Sequence, residues 1–362
     1  MALGGWSGLR AVRDWLPEWA QVLSMGAQFA AWTYGVVLLA TRAPAWVAAL
    51  LRRLRRTAPA PVNEERRRLL ARASLAVPAA ALVFSGAGVA SYMGAPVITR
   101  LRLPVRREFS GLHGVTLAQV SDVHIGSYMD RERLQGVVDA INAAGADIHV
   151  VTGDLTDNHM DQVELARWFL SQLRPKRGEI YMCMGNHEYY TARPNNMQRM
   201  LDEFAQGGGV MLVDEARALE FGGDRLWLGA IDYPQRGGSI SGRSTRDSLL
   251  HTMGQMADDG APRIVLSHHP RTFYEGREMP LDLMLAGHTH GGQINLGRIG
   301  DAALTPILPV DFYHNGFYEH AQSIEVWSRP RRLYVNAGAG GWLPVRVNCP
   351  PEITLVELVP EL

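Results

Sequence analysis

Lysine is almost missing from this chain. Lys176 is the only one, and the 36 basic residues, otherwise all arginine, are balanced by 36 acidic ones over 362 residues. A main domain built to grip nucleic acid carries a cationic surplus, so that class of partner is set aside. Cysteine is scarce as well: Cys183 and Cys349 are the only two. They cannot make a disulfide framework, and neither belongs to a C-x-x-C pair. Cys183 sits inside the apolar run 180–184 and reads as a small buried side chain.

The zero net charge hides an asymmetry. Residues 1–107 hold 15 arginines against four acids (Asp14, Glu18, Glu64, Glu65), a balance of +11, which leaves −11 for the rest. A basic front and an acidic body imply two parts with different surroundings. Two stretches of the front lack charge altogether, 19–41 and 73–99. A bilayer needs roughly 20 apolar residues, so both are candidate transmembrane helices. The second holds Pro78, Gly86, Gly88 and Gly94, and a buried soluble hairpin is the alternative. Between them, residues 42–72 carry nine arginines and two glutamates. Positive loops stay in the cytoplasm, which puts the body on the outer, periplasmic side of a bacterial inner membrane. Arg66-Arg67-Arg68-Leu69-Leu70 looks like a twin-arginine signal and leads to the same side. Arg100, Arg102, Arg106 and Arg107 follow the second run and keep a cytoplasmic face open. The expectation is an all-α membrane region over 1–107 and a separate folded domain over 108–362.

From residue 110 onward, apolar runs alternate with helix-like stretches. Strand-like runs fall at 115–120, 148–151, 179–184, 225–231, 263–266, 281–285, 332–335 and 353–358. Helical spacing appears over 131–144 and near 162–173. This alternation predicts an α/β domain whose sheet is covered by helices. Five of the runs lead into polar turns: Asp122-Val123-His124, Gly153-Asp154, Gly185-Asn186-His187-Glu188, His268-His269-Pro270 and Gly287-His288-Thr289-His290. Ligands gather at the carboxyl ends of strands in such sheets, so the five turns could meet. Strand alternation would point Asp122 and His124 the same way, and likewise His288 and His290. The donor set exceeds what one tetrahedral zinc needs. Imidazole and oxygen without thiolate favour Mn, Fe or Zn, and two metals sharing a carboxylate suit the number.

The order D-x-H, G-D, G-N-H-E, H-x-P, G-H-x-H resembles the calcineurin-like metallophosphoesterase family over about 110–362. The resemblance implies a four-layer α/β/β/α sandwich. It implies that Asp122, His124 and His290 hold one metal and that Asn186, His268 and His288 hold the other. Asp154 would bridge them, and His187 would stay off the metals and assist the leaving oxygen. The G-H-T-H-G-G-Q run and the closing P-E-I-T-L-V-E-L resemble the membrane-attached subgroup. Some relatives there cleave UDP-diacylglucosamine, and others are wall-associated. The segment 337–347 departs from that pattern.

Two cations can clamp phosphoryl oxygens and hold a hydroxide for in-line attack, with Mn first among the candidates. The reading is a membrane-anchored phosphoesterase whose partners are the bilayer and a phospholipid or lipid-linked (pyro)phosphate. The competing readings are a tethered hydrolase of a water-soluble phosphoester, and an inactive binding scaffold. His269 is the alternative to His268 as a ligand. His149 reads as a core histidine; His113, His159, His251, His314 and His320 read as surface or loop residues. Glu188 and Gln293 read as braces for their turns. Arg346 is a candidate phosphate partner. Phe312, Tyr313, Phe317, Tyr318 and Trp327 form either ordinary packing or a loop that meets an acyl chain or glycan.

Overall fold

The computed structural model describes residues 64–362, apart from 127, 234–239, 300–301, 306–312, 322–327, 342 and 362, together with scattered residues between 27 and 55. The chain divides into two compact units, Met1–Tyr92 and Met93–Leu362.

Helix α1 (Glu64–Met93) opens with Glu64 and Glu65 in its first turn, where acids suit the positive end of the helix dipole. Arg66, Arg67 and Arg68 fall inside it. Among the described residues no helix is long and apolar enough to cross a membrane. The run 19–41 lies mostly outside those residues. The run 73–99 is not a single helix, because α1 stops at Met93 and residues 97–99 open strand β1 (Val97–Val105). The expected domain boundary at 107 therefore falls after a strand of the body. β1 pairs with the last strand, β14 (Glu352–Pro360), over nine residues in parallel register. Its alternating apolar residues and arginines, VITRLRLPV, fit a half-exposed edge strand.

Two six-stranded sheets make the body. In the first, β2 (Thr116–Val120), β3 (Ile148–Thr152), β4 (Ile180–Cys183) and β5 (Gly209–Met211) run parallel, and β14 and β1 complete the order β1-β14-β2-β3-β4-β5. The second contains β6 (Glu215–Phe221), β7 (Asp224–Ala230), β8 (Arg263–Leu266), β9 (Leu283–Ala286), β12 (Gly316–His320) and β13 (Arg331–Val335), in the order β12-β13-β9-β8-β7-β6. A small hairpin, β10 (Arg298–Ile299) and β11 (Ala302–Ala303), stands apart from both.

Three apolar cores define four layers. One lies between the sheets and joins Leu117, Ile148, Val150, Leu228, Ile264 and Leu285. On the outer face of the first sheet, α2 (Arg131–Ala144), α3 (Val163–Gln172) and α5 (Met197–Gln206) bury Leu134, Val138, Phe169 and Phe204. On the outer face of the second, α6 (Thr245–Met253) and α7 (Phe273–Gly276) bury Leu249 and Phe273. The α/β/β/α sandwich is therefore present. Helix α2 spans the residues its spacing predicts. The Asp130 side chain caps it by accepting from Arg133 N at 3.0 Å, and Gly145 ends it in a left-handed turn.

The sequence reading missed β6, the edge strand β12, and helices α5 and α6. In α5 the signal was present, with Met197, Met200, Leu201 and Phe204 at helical spacing. Among the histidines expected at the surface, His314 is buried.

His149 is fully buried on β3, and its register partners Ala118 and Ile180 belong to the helix-side core. Neither ring nitrogen has a hydrogen-bond partner. Burial pushes the imidazole down to about 4. The folded state therefore prefers neutral His149. That preference is satisfied above the ordinary pKa of about 6.5 and becomes a penalty as pH falls toward 4. Between pH 7.5 and 5 it should remove about 2 kcal/mol of stability. His149→Leu should show a smaller fall in Tm over that range by calorimetry. An equal fall would mean that this imidazole is not desolvated.

Candidate metal centre

Five strands deliver polar side chains from their carboxyl ends to one pole of the sandwich. β2, β3 and β4 of the first sheet lead to Asp122 and His124, to Asp154, and to Asn186 and His187. β8 and β9 of the second lead to His268 and to His288 and His290. The two sheets are tied just beneath by buried Gln119 on β2, whose Nε2 donates to Thr152 Oγ1 and across to Ala286 O, both at 2.9 Å.

Strand alternation does not aim these residues, contrary to the sequence expectation. β2 ends at Val120, and Asp122 and His124 hold left-handed φ angles of 50° and 49°. Asp154 (53°), His288 (71°) and His290 (51°) do the same. Such angles in residues other than glycine cost on the order of 1–3 kcal/mol each and concentrate at functional sites. Here backbone bonds hold them: Asp122 N donates to Gly153 O at 3.1 Å, and His124 N to Asp154 O at 3.0 Å. His288 N donates to both oxygens of Asp122, at 3.0 and 2.9 Å.

Among the described residues three groups have ligand atoms within 4.8 Å of one another. Two are the donor groups of the centre, Asp122, His124 and His290, and Asp154, His268 and His288; the third joins His124 to Asp157 and His187. His124 Nε2 and His290 Nε2 are 3.1 Å apart, and His290 Nε2 is 3.4 Å from Asp122 Oδ1. His268 Nε2 lies 3.1 Å from Asn186 Oδ1, from Asp154 Oδ2 and from His288 Nδ1. Asp154 Oδ2 is also 3.6 Å from His124 Nε2, so this one oxygen faces both groups.

These separations fit cations. Donors 2.0–2.2 Å from a shared ion stand about 3–3.5 Å apart. Buried ring nitrogens facing each other with no proton between them would otherwise be a poor arrangement. His268 Nδ1 is turned to Thr152 O at 2.8 Å, which frees Nε2 for an ion. The proton balance agrees. Burial opposes charge on His268, yet Asp154 and Asp122 push it up to about 10. Burial and the neighbouring His268 and His269 push His288 down to about 2. A proton on His268 thus answers part of the negative charge of the carboxylates around it, and a divalent ion would take its place. The His/Asp groups fit two divalent ions.

Residues 115–292 match the family described as calcineurin-like phosphoesterase. The chain carries a calcineurin-like phosphoesterase domain over these residues. It is similar to a transmembrane protein with metallophosphoesterase domain from Danio rerio, 28% identical over 278 residues covering 73% of this chain and 57% of that one. It is similar to UDP-2,3-diacylglucosamine pyrophosphatase LpxG of Chlamydia trachomatis serovar D, 26% identical over 308 residues covering 73% and 89%. It also resembles the metallophosphoesterase YkuE of Bacillus subtilis, 29% identical over 299 residues covering 78% and 93%. The chain spans less than two thirds of the length of the first curated relatives it matches.

In this calcineurin-like chain, His187 stands beside the donor groups with its ring 4.4 Å from that of His124. Its Nδ1 bonds to Asp157 O and lies 3.4 Å from Asp157 Oδ1. Burial alone would lower His187, but Asp157 and Asp154 push it up to about 9, so the imidazole is charged at neutral pH. Asp157 also lies 3.4 Å from His124 Nδ1. The sequence reading missed Asp157; the available signal was a second acid three residues after Asp154. Glu188 is the brace expected of it. Its buried carboxylate accepts from the backbone N of Asp154 (2.9 Å), Leu155 (2.8 Å), Thr156 (3.3 Å) and Gly185 (2.8 Å).

Other expectations resolve here. His269 Nδ1 accepts from Arg271 N at 3.1 Å and caps the turn after β8, while its neighbour His268 faces the centre. Arg346 is not placed as a phosphate partner. It is fully buried and donates to carbonyls of Ala337, Gly338, Gly340 and Cys349, which shapes the divergent segment against Asp122. Gln293 braces its turn through Leu343 O at 2.7 Å. Tyr313 packs against Phe273, Tyr274 and Tyr318, which is ordinary packing; Phe312, Trp327 and Trp342 lie outside the described residues.

Two glycines leave room that no side chain could share. A Cβ at Gly185 would stand 2.2 Å from Asp154 Oδ1, and one at Gly287 2.2 Å from Asp122 Oδ2. Gly185→Ala should therefore displace Asp154 and lower bound metal below two ions per chain by elemental analysis, with an unchanged far-UV spectrum. Full metal content in that variant would show that Asp154 is not confined.

Proposed function

We propose that this chain is a membrane-associated hydrolase of a phosphoester or pyrophosphate bond in a lipid-linked substrate. The observation that carries the reaction class is the position of Asp154 Oδ2, 3.1 Å from His268 Nε2 and 3.6 Å from His124 Nε2. A single carboxylate oxygen between two imidazole-rich groups suits a pair of cations sharing one ligand. Asp122, His124 and His290 would hold one ion, and Asn186, His268 and His288 the other. Mn, Fe or Zn fits the donors, with Mn first. When bound, such a pair supplies Lewis-acid stabilisation of the phosphoryl oxygens and brings the pKa of water to about 7.

The chain's own residues do the rest. His187 carries a proton at neutral pH and keeps Nδ1 on Asp157, which leaves Nε2 to protonate the departing oxygen. Asp157 fixes that ring. Glu188 holds the Asp154 turn through its backbone nitrogens. The substrate class draws support from the pyrophosphatase name borne by the Chlamydia relative and the transmembrane name borne by the Danio rerio relative. The arginine-rich link 42–72 supports a body on the outer side of the membrane.

The test is turnover by the full chain in detergent with added Mn, on a lipid-linked pyrophosphate and on bis(p-nitrophenyl) phosphate. His187→Ala should keep two ions and lose roughly 10²–10⁴-fold in kcat. Asp157→Asn should lose roughly 10–100-fold, the scale for a group that orients another. An unchanged rate in His187→Ala with metal content intact would remove it from the reaction.

A further inference from the structure

The chain reaches the body at a telling place. Val97 opens β1 opposite Glu352, and β14 runs antiparallel to β2 with Thr354 opposite Gln119. Since β2 runs toward Asp122, the first residue of β1 lies at the same pole as the donor groups. The charge-free stretch 73–99 therefore ends at the catalytic pole, in the first residues of β1.

That end is also where apolar side chains stand exposed. Among the described residues from 97 onward, eight large hydrophobic residues are exposed, and six belong to this pole. They are Val97 (50%), Tyr190 (52%), Ile240 (45%), Leu296 (59%), Leu304 (44%) and Phe317 (46%). Tyr190 lies 5.0 Å from the His187 ring, and Ile240 N donates to Tyr189 Oη at 2.9 Å. Leu296 and Leu304 follow His290 and face each other across the hairpin, Leu296 N donating to Leu304 O at 2.8 Å. Phe317 is opposite Tyr334, one residue from the Val335–Ala286 pair that ends β9. The remaining two, Leu250 and Tyr274, lie on α6 and α7. The far pole is charged instead, with Arg106, Glu108, Asp224, Arg225, Asp258 and Asp259 in its turns. Apolar residues gathered on one face mark an interaction surface.

We infer that the catalytic pole is seated against a lipid bilayer, with the hairpin around Leu296 and Leu304 dipping into the interface beside the metal centre. The occupant is lipid because the charge-free stretch 73–99 ends in Val97 at this same pole, beside the exposed apolar side chains. Tyrosine at the rim suits the headgroup level. The donor groups would then open toward the headgroups, and a lipid-linked phosphate would reach them without leaving the membrane. This inference rests on the hydrolase reading above and adds the direction in which its site faces.

Cys183 and Cys349 are both buried, so single introduced cysteines can be labelled selectively. Leu296→Cys, Leu304→Cys and, as a control at the far pole, Asp258→Cys would carry an environment-sensitive fluorophore. The full chain would be reconstituted in phosphatidylethanolamine/phosphatidylglycerol vesicles with and without nitroxide-labelled lipid. The labels at 296 and 304 should shift to the blue and be quenched severalfold by the nitroxide, while the label at 258 is unaffected. Quenching at none of the three, or equally at all three, would overturn the inference. So would shielding of 296 and 304 that grows with protein concentration in detergent alone, because a second copy would then cover the face. Leu296→Asp with Leu304→Asp should cut turnover of the lipid-linked substrate at least tenfold while the rate on bis(p-nitrophenyl) phosphate holds. Failure of the unaltered protein to hydrolyse that soluble ester would count against the hydrolase reading, separately from what the labels report.

Discussion

The carboxylate of Asp154 is the interaction on which the rest of the centre depends. Its Oδ2 faces His268 and His124, one from each donor group, and its Oδ1 accepts from His187 N at 2.9 Å. Its own backbone nitrogen is held by Glu188. One residue thus fixes the spacing of the two groups and the start of the short helix α4 (Asn186–Thr191) that carries Asn186 and His187. Burial raises the cost of its charge, and His268 nevertheless keeps it well below the usual carboxylate range. Charge that is buried must be answered nearby, and the whole donor set stands around it as the answer.

The scaffold makes that concentration of polar groups tolerable. Three apolar cores hold the two sheets and their helices, and Gln119 joins the sheets directly below the centre. Against that rigid base, five donor-bearing residues can occupy left-handed angles that a looser loop would relax. Strain spread over several turns, each fixed by a backbone or carboxylate hydrogen bond, keeps the geometry in place before any ligand arrives. The exposed apolar side chains stand at the same pole, so the chemistry and the surface beside it share one end of the sandwich.

Much of this was legible in the residues. The periodicity of 131–144 wrote helix α2, and the apolar runs at 148–151 and 263–266 wrote β3 and β8, because burial on both faces leaves few polar interruptions. The five polar turns announced the donor residues by their position after those runs. Strand β1 was not legible, since Val97, Ile98 and Thr99 continue an uncharged stretch and become a strand only through pairing with β14, far away in sequence. Asp157 was not legible for a similar reason: an acid three residues past Asp154 resembles any loop acid until the backbone folds it against His187 and His124.

By itself the sequence determined the strands that lead into the five polar turns and which side chains sit at their ends, because apolar periodicity and turn residues act over a few neighbouring positions. Tertiary structure alone decided how Asp122, Asp154 and His288 come to face one another, since left-handed turns and glycine clearances at Gly185 and Gly287 have meaning only between segments. It also decided that β1 opens at the catalytic end, because that strand finds its direction from a partner more than 250 residues later.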